Sequence, residues 1–204
     1  MRILITAGGT REYIDPVRFI TNASSGKMGY ALAQAALKTG HKVTLITAPT
    51  NLNPPKGAKL INVETGAQMF TAVKKHFPKC DCLIMAAAVS DYAPAKTSKT
   101  KIKKSAKPLL ITLKPAVDIL KWAGQHKKNQ ILAGFALEDR NLKARALTKL
   151  RQKKLDMIIA NKPSSIGADT TSCYVFFASN VSKRLPRLAK SAMAQRIIKL
   201  IAAL

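Results

Sequence analysis

"RILITAGGTREYIDPVRFITNASSGKMGYALAQAALK", Arg2 to Lys38, decides how the chain is read. It opens on a short apolar run, "RILIT", with the content of a strand buried on both faces. It closes on an amphipathic pattern, Met28–Lys38, that predicts a helix. Between them lies a basic, turn-rich run with small residues and a Gly-Lys pair, the look of a phosphate loop. Neither common phosphate motif is present. A P-loop needs G-x-x-x-x-G-K-[ST], and here Thr21 stands where the leading glycine belongs and Met28 where the hydroxyl belongs. A dinucleotide fingerprint needs G-x-G-x-x-G directly after the strand, and "AGGTREYIDPVRF" has another spacing. Ser24, Ser25 and Gly26 nevertheless stand where the helix should start, and unpaired N–H groups there attract anions. A plain cap at Ser24 or Ser25, with Gly26 for flexibility, is the simpler reading. It leaves Lys27 and the run before it unexplained.

Further along, apolar runs alternate with helical patterns. The runs are "KVTLIT", "KLINV", "CLIMAAA", "ILAGFAL", "DMIIAN" and "YVFFAS". The helices are expected at Ala67–His76, Val117–His126, Leu142–Lys154 and about Ser191 to Leu204. Strands and helices in alternation imply an α/β, Rossmann-like, doubly wound and mostly parallel sheet. No internal repeat or long linker is visible, so residues 1–204 read as one domain. Ligands of such sheets sit beyond the carboxyl ends of the strands. That selects the loop after "RILIT", the segment "AAAVSDY", the segment "GFALED" and the end of "IIAN". One insertion breaks the alternation: "TSKTKIKKSAKPLLITLKPAVDIL" begins polar and basic and turns into the alternating run "LLITL". It reads as a flexible basic flap leading into an extended arm.

Composition narrows the class. The chain has 204 residues, 47% of them hydrophobic, so it can bury a sizeable core. The three cysteines, Cys80, Cys82 and Cys173, contain no C-x-x-C, which argues against a disulfide framework or a zinc site. No signal peptide is visible and no window reaches the ~18 apolar residues of a membrane span. The expectation is a cytoplasmic protein with no membrane partner. A net charge of +25 attracts polyanions, phosphorylated substrates among them, while aromatics at 5% argue against a stacking platform for nucleic acid.

The stretch from "ITAGGTREYIDPVRFITNASSGKMGYALAQAALKTGHKVTLI" onward, followed in order by "AAAVSDY", "KIKK", "GFALE" and "LTKLRQKKLDMIIAN", resembles phosphopantothenoylcysteine synthetase (phosphopantothenate–cysteine ligase) over nearly the whole chain. Starting directly on its first strand, the chain resembles the stand-alone bacterial form. The resemblance implies a reaction of coenzyme A synthesis. The carboxylate of 4′-phosphopantothenate attacks the α-phosphate of CTP, and the amine of cysteine then displaces CMP from the acyl-cytidylate. It also implies a divalent cation, Mg²⁺, and a homodimer joined through the arm, to which "LLITL" would contribute a strand.

Site residues carry over by position. Asn22 matches the catalytic asparagine, whose amide donates to the oxyanion as cysteine attacks. Arg18 matches an active-site arginine able to clamp a phosphate. Lys101, the first lysine of "KIKK", matches the flap lysine that closes on the intermediate and on nucleotide phosphates. Ser24, Ser25 and Gly26 form the anion loop at the nucleotide, and Ala86 and Ala87 end a strand against it. Ala88 joins Asn22 on the substrate side. Asp91 lies at the nucleotide, near any bridging cation. Asp118 and Ile119 shape the base pocket, and Phe135 contacts the nucleotide. Lys149 and Lys153, at i and i+4, share a helix face that suits two phosphate contacts. Asn161 ends a strand as a turn residue or a contact. Two segments depart from the family's pattern: "GGTRE" stands for G-P-T-R-E, and "AVDI", Ala116–Ile119, for N-P-D-I. The same reaction with ATP therefore stays open. A nicotinamide oxidoreductase is the other α/β alternative, but the chain lacks the glycine fingerprint, and "KVTLIT" ends in Ala48-Pro49 rather than an acid. A basic nucleic-acid-binding protein would explain the charge but not the ordered loops.

Overall fold

The computed structural model describes residues 1–204. Its centre is a strand that sequence pattern alone identifies. β1 (Arg2–Ala7) buries Ile3, Ile5 and Ala7 on one face and Leu4 on the other, so both faces need cover. β4 (Lys42–Thr47) pairs with β1 on one side, and β5 (Lys59–Asn62) lies beyond it. On the other side come β6 (Cys82–Met85), β9 (Ile131–Leu137) and β10 (Met157–Asn161), all parallel. β11 (Thr170–Phe177) and β12 (Ser182–Ala189) finish that edge as an antiparallel hairpin. The order β12-β11-β10-β9-β6-β1-β4-β5 makes a mostly parallel, doubly wound α/β sheet of eight strands. The chain reverses direction across the sheet at β1 and β6, and crevices form at such points.

Helices cover both faces. α1 (Lys27–Lys38) and α5 (Lys190–Ile201) pack together over Ile3, Ile5 and Val175. α2 (Gly66–His76), α3 (Ile119–His126) and α4 (Leu142–Gln152) cover Leu4, Leu83 and Ile158. α2 starts with a reciprocal cap: Gln68 N–H donates to the Thr65 hydroxyl and the Gln68 side chain accepts from the Thr65 N–H. α1 comes so close to β1 that Gly29 has no room for a side chain; a Cβ there would stand 2.5 Å from that of Ala7. No helix is long and apolar enough to cross a membrane.

Several expectations are corrected. The run "AGGTREYIDPVRF" is not a plain loop: β2 (Arg11–Asp15) and β3 (Arg18–Thr21) pair as an antiparallel hairpin beside the sheet. α3 starts at Ile119 rather than Val117, because the Asp118 carboxylate accepts from Lys121 N–H at 2.9 Å and caps it. α4 stops at Gln152 rather than Lys154, since Lys154 has a φ of 50°. In the arm only β8 (Leu113–Pro115) is a strand, paired with β7 (Tyr92–Pro94); the rest of "LLITL" has no partner strand, and Leu110 is 91% exposed.

Candidate functional site

The β1–β6 switch point is stitched by polar groups of β1 and of the loop that follows it. Ala88 N–H donates to the Gly8 carbonyl at 2.8 Å, and Thr10 N–H donates back to Ala88. The buried hydroxyls of Thr6 and Thr10 accept from Ala87 and Ser90 N–H at 3.2 and 3.1 Å, fixing the chain as it leaves β6. Onto this frame Asn22 docks: its Nδ2 donates to the Ala88 and Val89 carbonyls at 3.3 and 3.1 Å. Gly9 permits the approach, for a Cβ there would lie 2.7 Å from the Asn22 carbonyl oxygen. The residues carried over as substrate-facing, Asn22 and Ala88, are thus brought together.

Beside Val89 lies a pocket of about 140 Å³. Ala87, Asp91, Asp118, Ile119, Phe135, Lys149 and Lys153 line it, from four separate stretches of chain. Lys153 Nζ stands 2.7 Å from Asp118 Oδ2. Burial alone would push the Asp118 carboxyl up, but the bond to Lys153, the Lys121 N–H and the charge of Lys149 hold it below its usual range. The pocket therefore carries two lysines and two carboxylates. A larger cavity, about 900 Å³, lies between β4, β5 and α2 and is bordered by Tyr30, Leu52, Val63 and Lys75. None of the expected site residues borders it, so the smaller pocket is where the chemistry-bearing groups converge.

Arg18 follows the turn of the β2–β3 hairpin. Its Nη1 donates to the Asp15 carboxylate and to the Ile102 carbonyl, the latter at 3.2 Å. Lys101 precedes Ile102 and is exposed, so the flap lysine is placed beside Arg18 through the backbone. Asp15 went unnoticed in the sequence, although Asp-Pro at a hairpin turn is a signal. Its carboxylate is wholly buried and accepts from Val17, Arg18 and Ile102 N–H at 2.9, 2.9 and 3.1 Å. Burial would raise it; these bonds and Arg18 outweigh burial and lower its pKa to about 2.

Other expected residues fall elsewhere. No serine caps α1; the cap is Gly26, left-handed at φ 74°, and the Ser24 hydroxyl accepts from Gly26 N–H at 3.4 Å. Ser24, Ser25 and Gly26 lie on the Asn22 side and do not line the small pocket. Lys27 Nζ reaches instead to Asp169 Oδ1 at 2.6 Å, holding that carboxyl below its usual range. Ala86 turns its methyl to the α1–α5 face, because alternate residues of an extended chain point to opposite sides. Asn161 Nδ2 donates to the Ser165 hydroxyl at 2.7 Å, a turn-stabilising bond away from the pocket. No group of three or more His, Cys, Asp or Glu side chains could hold a metal by itself. Of the pocket's two carboxylates Asp118 is bonded to Lys153, which leaves Asp91; one such carboxylate would suit a cation shared with phosphates rather than caged by protein. The three cysteines are free and buried.

The whole chain, residues 1–204, matches the family described as DNA/pantothenate metabolism flavoprotein C-terminal domain. The coenzyme A biosynthesis bifunctional protein CoaBC of Bacillus subtilis is 44% identical over 207 residues, covering 99% of this chain and 51% of that protein. Its counterpart in Borreliella burgdorferi is 42% identical over 203 residues, covering 98% and 52%. The chain thus spans about half the length of these relatives. A crystal structure of the C-terminal domain of a CoaBC protein superposes with a TM-score of 0.87 at 40% identity, covering 99% of this chain and 94% of that one. The DNA/pantothenate metabolism flavoprotein of Streptococcus pneumoniae gives 0.86 at 25% identity, covering 100% and 99%. The match along the full chain, together with the shared fold, makes this protein a member of the DNA/pantothenate metabolism flavoprotein C-terminal domain family.

Proposed function

We propose that the chain is a phosphopantothenate–cysteine ligase that uses CTP. The observation that carries the reading is the contact of Asn22 with Ala88 and Val89, because Val89 is also a wall of the pocket that holds Asp91, Phe135, Lys149 and Lys153. A catalytic amide and a partly apolar pocket bearing two lysines thereby share one rim. A carboxylate oxygen of 4′-phosphopantothenate attacks the α-phosphorus, and the P–O bond to pyrophosphate breaks. Lys149 and Lys153 lie where they can take the phosphates, and Phe135 offers the base an aromatic surface. The amine of cysteine then attacks the acyl carbon, CMP leaves, and the nitrogen loses its proton. Asn22 exchanges its longer bond, to Ala88 O, for the oxyanion that forms in this second step. A divalent cation, when bound, would neutralise phosphate charge, and Asp91 is the side chain that fits it.

A homodimer belongs to this reading. Val17 on the hairpin, Tyr92 on β7, and Leu109, Leu110 and Leu113 on the arm are large, apolar and exposed, and a second copy would cover them. Sedimentation at the monomer mass would remove that part.

The test is pyrophosphate release with Mg²⁺, CTP and 4′-phosphopantothenate, with and without cysteine, and with ATP in parallel. The expected result is release with CTP, and an amide product only when cysteine is present. Turnover with ATP alone would discard the base assignment. No turnover from folded protein with either nucleotide would discard the ligase.

A further inference from the structure

The flap does not merely hang over the site. Along its stem, Thr97 Oγ1 donates to the Tyr13 carbonyl at 3.0 Å and Ser98 N–H to the Ile14 carbonyl at 2.9 Å. One step further, Ile102 is gripped from both sides: its N–H donates to Asp15 and its carbonyl accepts from Arg18. The same Asp15 carboxylate takes the Arg18 guanidinium and closes the hairpin turn through Val17 and Arg18 N–H. Four donors from two distant segments therefore converge on one buried anion. Arg18 spends Nη1 on these bonds, which leaves Nε and Nη2 to meet substrate.

We propose that Asp15 is a positioning residue, coupling the orientation of Arg18 to closure of the basic flap so that Arg18 and Lys101 reach the substrate together. The inference rests on the reading of Arg18 and Lys101 as substrate-binding groups. With the carboxylate gone, the guanidinium loses its anchor and the flap loses its acceptor at once. A buried charged acceptor is worth more than a neutral one, so the flap should open measurably.

The experiment is limited trypsin digestion of the full chain, followed by mass spectrometry of cleavage after Lys103 and Lys104. Asp15→Asn keeps the side chain's size and removes its charge. With an unchanged circular-dichroism spectrum, the variant should be cut there roughly tenfold faster, because cleavage follows the open population. An unchanged rate in the folded variant overturns the proposal. If Asp15→Asn does not fold, Ile102→Pro decides: it removes the N–H that Asp15 accepts and fixes φ at that residue, while the carboxylate and Arg18 stay in place. Faster cutting of Ile102→Pro supports the latch, and parental cutting overturns it. In turnover, Asp15→Asn should raise KM for the nucleotide and for 4′-phosphopantothenate together, because Arg18 and Lys101 are loosened at once. A lower kcat with both KM values unchanged would reduce Asp15 to a structural residue. Should the parent protein prove to have no ligase turnover, the assigned reaction fails while the cleavage rates still decide the latch.

Discussion

Lys153 Nζ and Asp118 Oδ2, 2.7 Å apart, join the end of α4 to the cap of α3 across the small pocket. The pair is partly exposed, so its contribution to stability is small, under about 1 kcal/mol. Its value is placement. Lys153→Met should leave the urea midpoint nearly unchanged and raise KM for the nucleotide at least roughly tenfold, the loss of one phosphate contact. Steady-state kinetics beside an unfolding curve check both halves.

Asn22→Ala should separate the two chemical steps. In the proposed reaction, acyl-cytidylate formation needs no oxyanion donor at the acyl carbon, whereas cysteine attack does. Loss of about 3 to 4 kcal/mol of transition-state stabilisation slows the second step by hundreds of fold. Rapid quench should find pyrophosphate released in a burst and the intermediate accumulating. Equal slowing of both steps would place Asn22 outside the acyl transfer.

Gly29→Ala should destabilise the fold by about 1 to 3 kcal/mol, because the added methyl meets Ala7 and the Thr6 carbonyl within a packed sheet–helix contact. Gly40→Ala meets nothing within 4 Å, but its φ of 79° strains any side chain, so the cleaner control is an exposed position such as Gln34→Ala. Urea unfolding of the Gly29 and Gln34 variants measures the difference.

Acid stability should report Asp15. Its folded-state pKa of about 2 lies below the usual 3.8, so its contribution is fully present above about pH 4 and disappears as pH falls toward 2. Between those values the parent should lose more stability than Asp15→Asn, which has no such proton to take up. Chemical denaturation at several pH values from 2 to 6 gives the two slopes.

The thiols should be silent in the native protein. Burial pushes Cys80 up to about 12 and Cys173 up to about 11, and Cys82 higher still. Iodoacetamide at neutral pH should label none of them until urea is added. Labelling of the folded protein at the unfolded rate would contradict the buried core drawn around β6.

The parallel half of the sheet was legible because buried strands such as "KVTLIT" and "ILAGFAL" read as continuous apolar runs. Of the antiparallel part, β11 was legible through "YVFFAS", but β12 was not. β12, "SKRLPRLA", carries three cations and a proline, tolerated because it is an edge strand, and its pattern hides in that charge. The hairpin of β2 and β3 was read as loop for a similar reason: it lies outside the main sheet and its residues mix charge with aromatics. Helical spacing put Lys149 and Lys153 on one face, and only the resemblance singled them out from the other cations around them. Asp15 was not legible, since its partner Ile102 lies 87 residues away, and local pattern holds no record of such a meeting.

α1 and α5 share one face of the sheet, although most of the fold lies between them in sequence. During synthesis the helix that follows the Asn22 loop therefore waits for α5 to be made and docked. Until then part of the apolar stripe of α1 has no neighbour, and the nascent chain must carry it in water. The switch-point end of the molecule is in this sense completed by a distant helix, which bears on the maturation of a site it never touches.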